Sequence, residues 1–435
     1  MPHVAKMATL LVWLVSMYYF STAVQNDWLS IMIPAVGSFV VYAVVLQYDR
    51  QNWVFWLAAA FLARLLFVFS FPGLSDDIYR FYFDGKLLLS GQSPYGVLPS
   101  AVQESAGALI PDVVYEKMNS RDYYTVYPPL AQIIYGLPAL TDDIAQYKIL
   151  LSLLMLLIEA TGIFFMVKTV PTLELKSSSV LIYALNPLVI AEGVGNLHAE
   201  ILVVSFLAIF LYFFTKKNMV LSGLFFALAA ATKLLPLLLV PWLYFRLKDA
   251  EKKRFFLSAG LVLFLLFLPF VIQPGFFSVF NSLDLYFRKF EFNGSIYVVL
   301  RELGYLITGY NLVQYIGPFL GLTTSWFILK TARSFHVFDG KAWVQPALLS
   351  WFFYLLLSTT VHPWYVIPLV FFSVFTIQKT ALAWSFLVIL SYIHYDPAWN
   401  VWQPFALFAE YSILFYFIWK EGFGENTKRV FASRM

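Results

Sequence analysis

Two adjacent carboxylates, Asp76 and Asp77, open the one long polar segment of an otherwise apolar chain, residues 72–129. Neighbouring carboxylates raise each other's pKa, and partial burial raises it further. An Asp in water is too weak a base to be useful near pH 7, so this setting suits general-base work. Either residue can instead cap a helix beginning at Ile78 by accepting its orphan amide hydrogens, but one cap occupies one carboxylate. Helical neighbours point about 100° apart, so one acid is expected to react and the other to serve as its hydrogen-bond or metal partner.

Other chemical groups lie in breaks between apolar stretches. Lys233 sits in Ala230-Ala231-Thr232-Lys233-Leu234-Leu235-Pro236, near the middle of the apolar window 219–245. A lysine left at the bilayer centre costs roughly 3 kcal/mol. If the window is a hairpin, Lys233 falls at its tip, as a snorkelling side chain or as a cation for a lipid phosphate. His362 lies in the break Ser358-Thr359-Thr360-Val361-His362-Pro363-Trp364-Tyr365, and His198 stands with Glu200 just after the polar run 192–196. The titration range of histidine suits either one to hold a proton for a phosphate or to assist proton transfer. Arg64 and Glu159 are charges inside apolar spans and read as a structural ion pair. There is no cysteine, which excludes disulfides, thiolate metal sites and thiol nucleophiles. The absence of Walker, Rossmann and zincin motifs argues against nucleotide-driven transport and soluble nucleotide-sugar chemistry.

The elements that must position these groups are membrane helices. The chain is 60% apolar and 12% charged, far outside the soluble range. Apolar windows recur at 8–24, 28–47, 53–71, 147–167, 178–194, 198–215, 219–245, 255–273, 309–329, 342–359, 363–377, 380–395 and 403–419. They are continuously apolar, so they read as helices and not as barrel strands. The expectation is an all-α polytopic transmembrane bundle of about 13 helices, a single membrane domain over 1–435. Tyr and Trp number 27 and 13, and many fall near helix ends, as interfacial belts require.

Lys and Arg set the orientation. Basic residues collect in 246–254, at Lys216-Lys217, at Lys330, Arg333 and Lys341, and after Lys420. Placing these in the cytoplasm puts 72–129, His198, 274–308, His362 and 396–402 together on the opposite face. Residues 127–140 contain Pro128, Pro129 and Pro138 and read as a re-entrant or surface helix. Within 72–129, the amphipathic stretch 78–89 suits the interface plane, and Ser93-Pro94-Tyr95-Gly96 has turn chemistry. Residues 274–308 form a second external amphipathic segment.

Several of these stretches resemble one family in order along the chain. Ser75-Asp76-Asp77-Ile78-Tyr79-Arg80, Phe83-Asp84-Gly85-Lys86, Gly91-Gln92-Ser93-Pro94-Tyr95 and Tyr127-Pro128-Pro129-Leu130-Ala131-Gln132 resemble the first external loop of bacterial GT-C glycosyltransferases. The likeness is greatest to polyprenol-phosphate-mannose-dependent mannosyltransferases. It continues through Leu185-Asn186-Pro187-Leu188, Gly195-Asn196-Leu197-His198, Lys233-Leu234-Leu235-Pro236 and His362-Pro363-Trp364-Tyr365. Two helices precede the span that leads into the loop, where the family has one, so its span numbering does not carry over.

The resemblance implies an inverting enzyme of the bacterial inner membrane, working on the periplasmic or exterior face. It would move a hexose, mannose by likeness, from a polyprenyl phosphate to a hydroxyl of a lipid or glycan acceptor. The base maps to Asp76 or Asp77, with Asp76 favoured because related motifs place the base first; the late histidine maps to His362. Lys233, Arg80 and Arg288 would steady the departing phosphate. Tyr79, Tyr95, Tyr127, His198, Glu200 and Tyr365 are the expected substrate contacts. No cofactor and no nucleic-acid partner is expected, and an anionic leaving group makes a metal optional. The alternatives are a lipid-linked-oligosaccharide flippase, which should place charges near the midplane and show repeat symmetry, and an O-antigen polymerase or ligase, which should lean on basic residues in a late loop.

Overall fold

The computed structural model describes residues 1–105, 109–334, 343–376 and 378–421. Lys341 and the basic tail from residue 422 onward, both used in the charge reading, lie outside them. The described chain is an all-α polytopic bundle, and no strand forms within it. Six of its helices are long and apolar enough to cross a membrane: His3–Ser21, Trp28–Tyr48, Arg50–Phe69, Ile144–Leu173, Asp249–Val271 and Asn400–Glu421. Shorter apolar helices lie among them. Of these, Glu200–Thr215 and Ile367–Thr376 are buried along nearly their whole length and form the centre. The long helices keep outward apolar faces, such as exposed Leu261, Phe264 and Leu265, which a bilayer would cover.

Local chemistry explains where the expected windows break. The window 178–194 is two pieces, Ser177–Ala184 and Pro187–Gly195, bent by 59°. Pro187 has no amide hydrogen to continue the first helix. The Asn186 side chain starts the second by accepting from the amides of Leu188 and Val189 at 3.0 and 3.3 Å. The window 219–245 splits at extended Lys233 into Met219–Thr232 and Leu235–Arg246. The two pieces do not pack as the expected hairpin: the first lies on 249–271 and 200–215, the second on 313–334.

The amphipathic segments are held by specific contacts. In the helix Asp77–Leu89, Ile78 and Arg80 to Gly85 are buried, largely against Pro129–Leu140. The segment 274–308 is two helices, Val279–Arg288 and Ile296–Thr308. Between them Phe292 clips onto the 359–361 break, donating its amide to the Thr359 carbonyl at 3.1 Å and accepting from Val361 at 2.7 Å. The 93–96 turn forms with Gly96 at φ 75° against Gly275, where an added Cβ would come within 2.5 Å of backbone. Only glycine fits there. Arg64 and Glu159 are fully buried and doubly hydrogen-bonded at 2.7 and 2.8 Å, the ion pair the sequence called for.

Candidate active site

The two acids at the start of the 77–89 helix have different partners. Asp76 occupies the cap position, yet its side chain makes no bond to its own helix. Its oxygens accept from Asn119 instead, at 2.8 Å from the side-chain amide and 3.2 Å from the main chain. The Asp77 amide donates to Ser75 Oγ at 3.2 Å. Asp77 Oδ2 accepts from the Tyr127 hydroxyl at 3.1 Å and lies 4.0 Å from Nε2 of His198. Partial burial first, and then the charge of Asp77, push the Asp76 carboxyl up to about 6. That is the range in which a carboxylate works as a base near neutral pH.

His198 reaches this spot because the preceding chain is tightly wound. Ala191–Gly195 is a π-helical turn, and buried Leu197 is left-handed at φ 65°. A bulky residue there is uncommon and marks a backbone held by its surroundings, often at functional sites. The winding points both the His198 amide and Nδ1 at the Glu192 carbonyl, at 3.1 and 3.0 Å. Nδ1 is also 3.1 Å from the Glu192 carboxylate. Oε1 of that buried carboxylate accepts from the Tyr392 hydroxyl at 2.5 Å.

Four rings then stack in a column. His198 lies on Trp364 at 3.6 Å, Trp364 on His362 at 4.4 Å, and His362 on Phe292 at 4.7 Å. The Phe292 clip supplies the last ring. Burial first, then its neighbours His198 and Lys233, push His362 down to about 3. A shift in that direction favours the neutral imidazole. Its Nδ1 is buried with no hydrogen-bond partner.

Beside the column, buried Glu200 on the first turn of 200–215 pairs with Lys233. The Lys233 ammonium stands 4.4 Å over the Tyr365 ring. Asp76, Asp77, Tyr127, His198, Glu200, Lys233, His362 and Tyr365 thus converge at one end of the bundle. The other expected contacts have partners of their own. Arg80 is buried and bound to Asp84 at 2.7 Å and to the carbonyls of Ser120 and Tyr123. Arg288 is exposed and pairs with Asp284 at 2.9 Å on its own helix. The Tyr95 hydroxyl is taken by the Tyr127 carbonyl at 2.6 Å, and Tyr79 packs near Phe71 and Lys117.

Asn119, Glu192 and Tyr392 join the cluster without having been singled out as site residues. Glu192 carried a signal, a carboxylate in an apolar run; Asn119 and Tyr392 carried none, since each matters only through a distant partner. Among the described residues, no group of three or more His, Asp or Glu side chains is arranged to hold a metal ion. What the arrangement offers is a basic carboxylate, a lysine, and two imidazoles, one buried and one half-buried, on a ring column. A family model described as alpha-(1->6)-mannopyranosyltransferase, N-terminal domain, matches residues 2–248. No curated protein and no solved structure matches the chain.

Proposed function

Because the chain belongs to the alpha-(1->6)-mannopyranosyltransferase family, we propose that this cluster moves a mannosyl unit from a polyprenyl monophosphate to an acceptor hydroxyl. The observation that carries the reading is the raised Asp76 carboxyl beside Asp77, in one cluster with Lys233. Asp76 takes the proton of the acceptor hydroxyl as its oxygen attacks the anomeric carbon. Attack comes from the face opposite the phosphate, the carbon–oxygen bond to phosphate breaks, and the phosphate leaves with the electron pair. Inversion to an alpha product requires a beta-linked donor. Lys233 stands ready for the leaving phosphate, sharing its charge between that group and Glu200. His362, neutral, offers a hydrogen bond.

The loop 72–129 is the catalytic segment on this reading, and 274–308 supports it by delivering Phe292. The basic loops 246–254 and 216–217 favour the cytoplasm for the opposite end, which supports a cluster facing the exterior of a bacterial inner membrane. The test incubates purified protein in detergent with radiolabelled polyprenyl-phosphate sugars and a mannoside acceptor. Transfer from polyprenyl-phosphate mannose, lost in Asp76→Asn and with a raised donor KM in Lys233→Met, is the expected result. Equal transfer from a nucleotide sugar, or full activity in Asp76→Asn, would overturn the reading.

A further inference from the structure

The mechanism above leaves one buried group unused, Nε2 of His198. The Glu192 carbonyl can only accept, so Nδ1, 3.0 Å away, carries the hydrogen. In the Nδ1–H tautomer that this bond selects, Nε2 is an acceptor. That nitrogen belongs to a side chain only 3% exposed, has no hydrogen-bond partner, and stands 4.0 Å from Asp77 Oδ2. Two acceptors side by side do not bond each other. A buried one left without a donor is costly, so Nε2 calls for a donor from outside the protein, and Asp77 Oδ2, which already accepts from Tyr127, has a second lone pair for another. Neighbouring hydroxyls of a hexose are such donors, each bonding at about 2.8 Å.

We propose that His198 Nε2 and Asp77 Oδ2 accept from two adjacent hydroxyls of the bound hexose, with Glu192 and Tyr392 as positioning residues that fix the His198 tautomer. The assignment rests on the reading of the cluster as a sugar-transfer site. The Glu192 carboxylate offers only acceptors to Nδ1–H, and the Tyr392 hydroxyl holds it in place. The stacked Trp364 ring keeps the imidazole from swinging away.

The experiment reads ring-nitrogen NMR shifts of the full-length protein in detergent, labelled at its five histidines and assigned with His198→Gln. Wild type is expected to show Nδ1–H with a bare Nε2. Methyl α-D-mannopyranoside is expected to move the Nε2 signal, and analogues lacking one hydroxyl of the bound pair to move it less. Glu192→Gln places an amide at Nδ1, so the Nδ1–H population falls and the mannoside Kd rises about tenfold, the loss of one hydrogen bond. Tyr392→Phe, which keeps the ring, gives a smaller change in the same direction. An Nε2–H tautomer in wild type, a tautomer indifferent to Glu192→Gln, or an Nε2 signal blind to the mannoside would each overturn the proposal. None of these readings needs turnover. A protein that gives the expected shifts yet transfers nothing from the polyprenyl donor would sink the donor assignment alone.

Discussion

Asp77 and Asp84 lie about two turns apart on one helix and have opposite surroundings. Asp84 is fully buried, and its oxygens accept from Arg80 at 2.7 Å, Thr125 at 2.7 Å and Gln132 at 2.9 Å. Asp77 accepts from one tyrosine, and a histidine nitrogen stops short at 4.0 Å. A carboxylate whose lone pairs are filled by its own protein has a structural task. One held at the edge of the same core with hydrogen-bonding capacity to spare can take a substrate group. The helix is thus anchored at Asp84 so that its first turn can be precise at Asp76 and Asp77.

Substitutions at the two places should separate activity from stability. The largest effect is expected for Asp76→Asn, which removes the proposed base and should lower transfer by about 100-fold to 10,000-fold while the melting temperature in detergent holds. Loss of folding in that variant would break the comparison. Next comes Asp84→Ala, which leaves the buried Arg80 guanidinium unpaired and should cost about 3–5 kcal/mol, read as a large fall in thermal midpoint. An Asp84→Ala protein as stable as wild type, but inactive, would move Asp84 into the chemistry.

A subtler distinction lies in pH. The base must be ionised, so transfer should fall as pH drops through about 6, the value to which burial and Asp77 bring Asp76. Asp77→Asn removes the second cause and keeps the first. The acid limb should therefore move to lower pH without reaching the ordinary carboxylate range. For stability the sign is opposite. Folded Asp76 holds its proton more tightly than the unfolded chain does, so its contribution to stability declines as pH rises from the ordinary carboxylate range through about 6. An acid limb unmoved in Asp77→Asn would show that the two acids do not interact. The smallest effect is expected at Arg288, exposed and paired, among the described residues, only with Asp284. Arg288→Gln should change stability by no more than about 0.5 kcal/mol and leave the donor KM unchanged.

The membrane class, the helical windows and the location of the polar loop were all legible in the sequence. They follow from composition: a long apolar run in lipid must satisfy its own backbone bonds. The breaks at Asn186-Pro187 and at Lys233 were not legible in the same way, since Pro34, Pro269 and Pro318 stand inside helices that continue through them. Arg64 and Glu159 were legible as a pair because a bilayer leaves an isolated charge few other choices. Only the tertiary structure decided that Asp77 meets His198, that His198 is held by Glu192 and Tyr392, that Lys233 finds Glu200, and that Arg80, beside the acid pair in sequence, belongs to Asp84 instead. Spacing along a chain says nothing about which distant groups share a few ångströms of low-dielectric space. That sharing, through burial and neighbouring charge, separates a carboxylate that works from one that merely holds the fold.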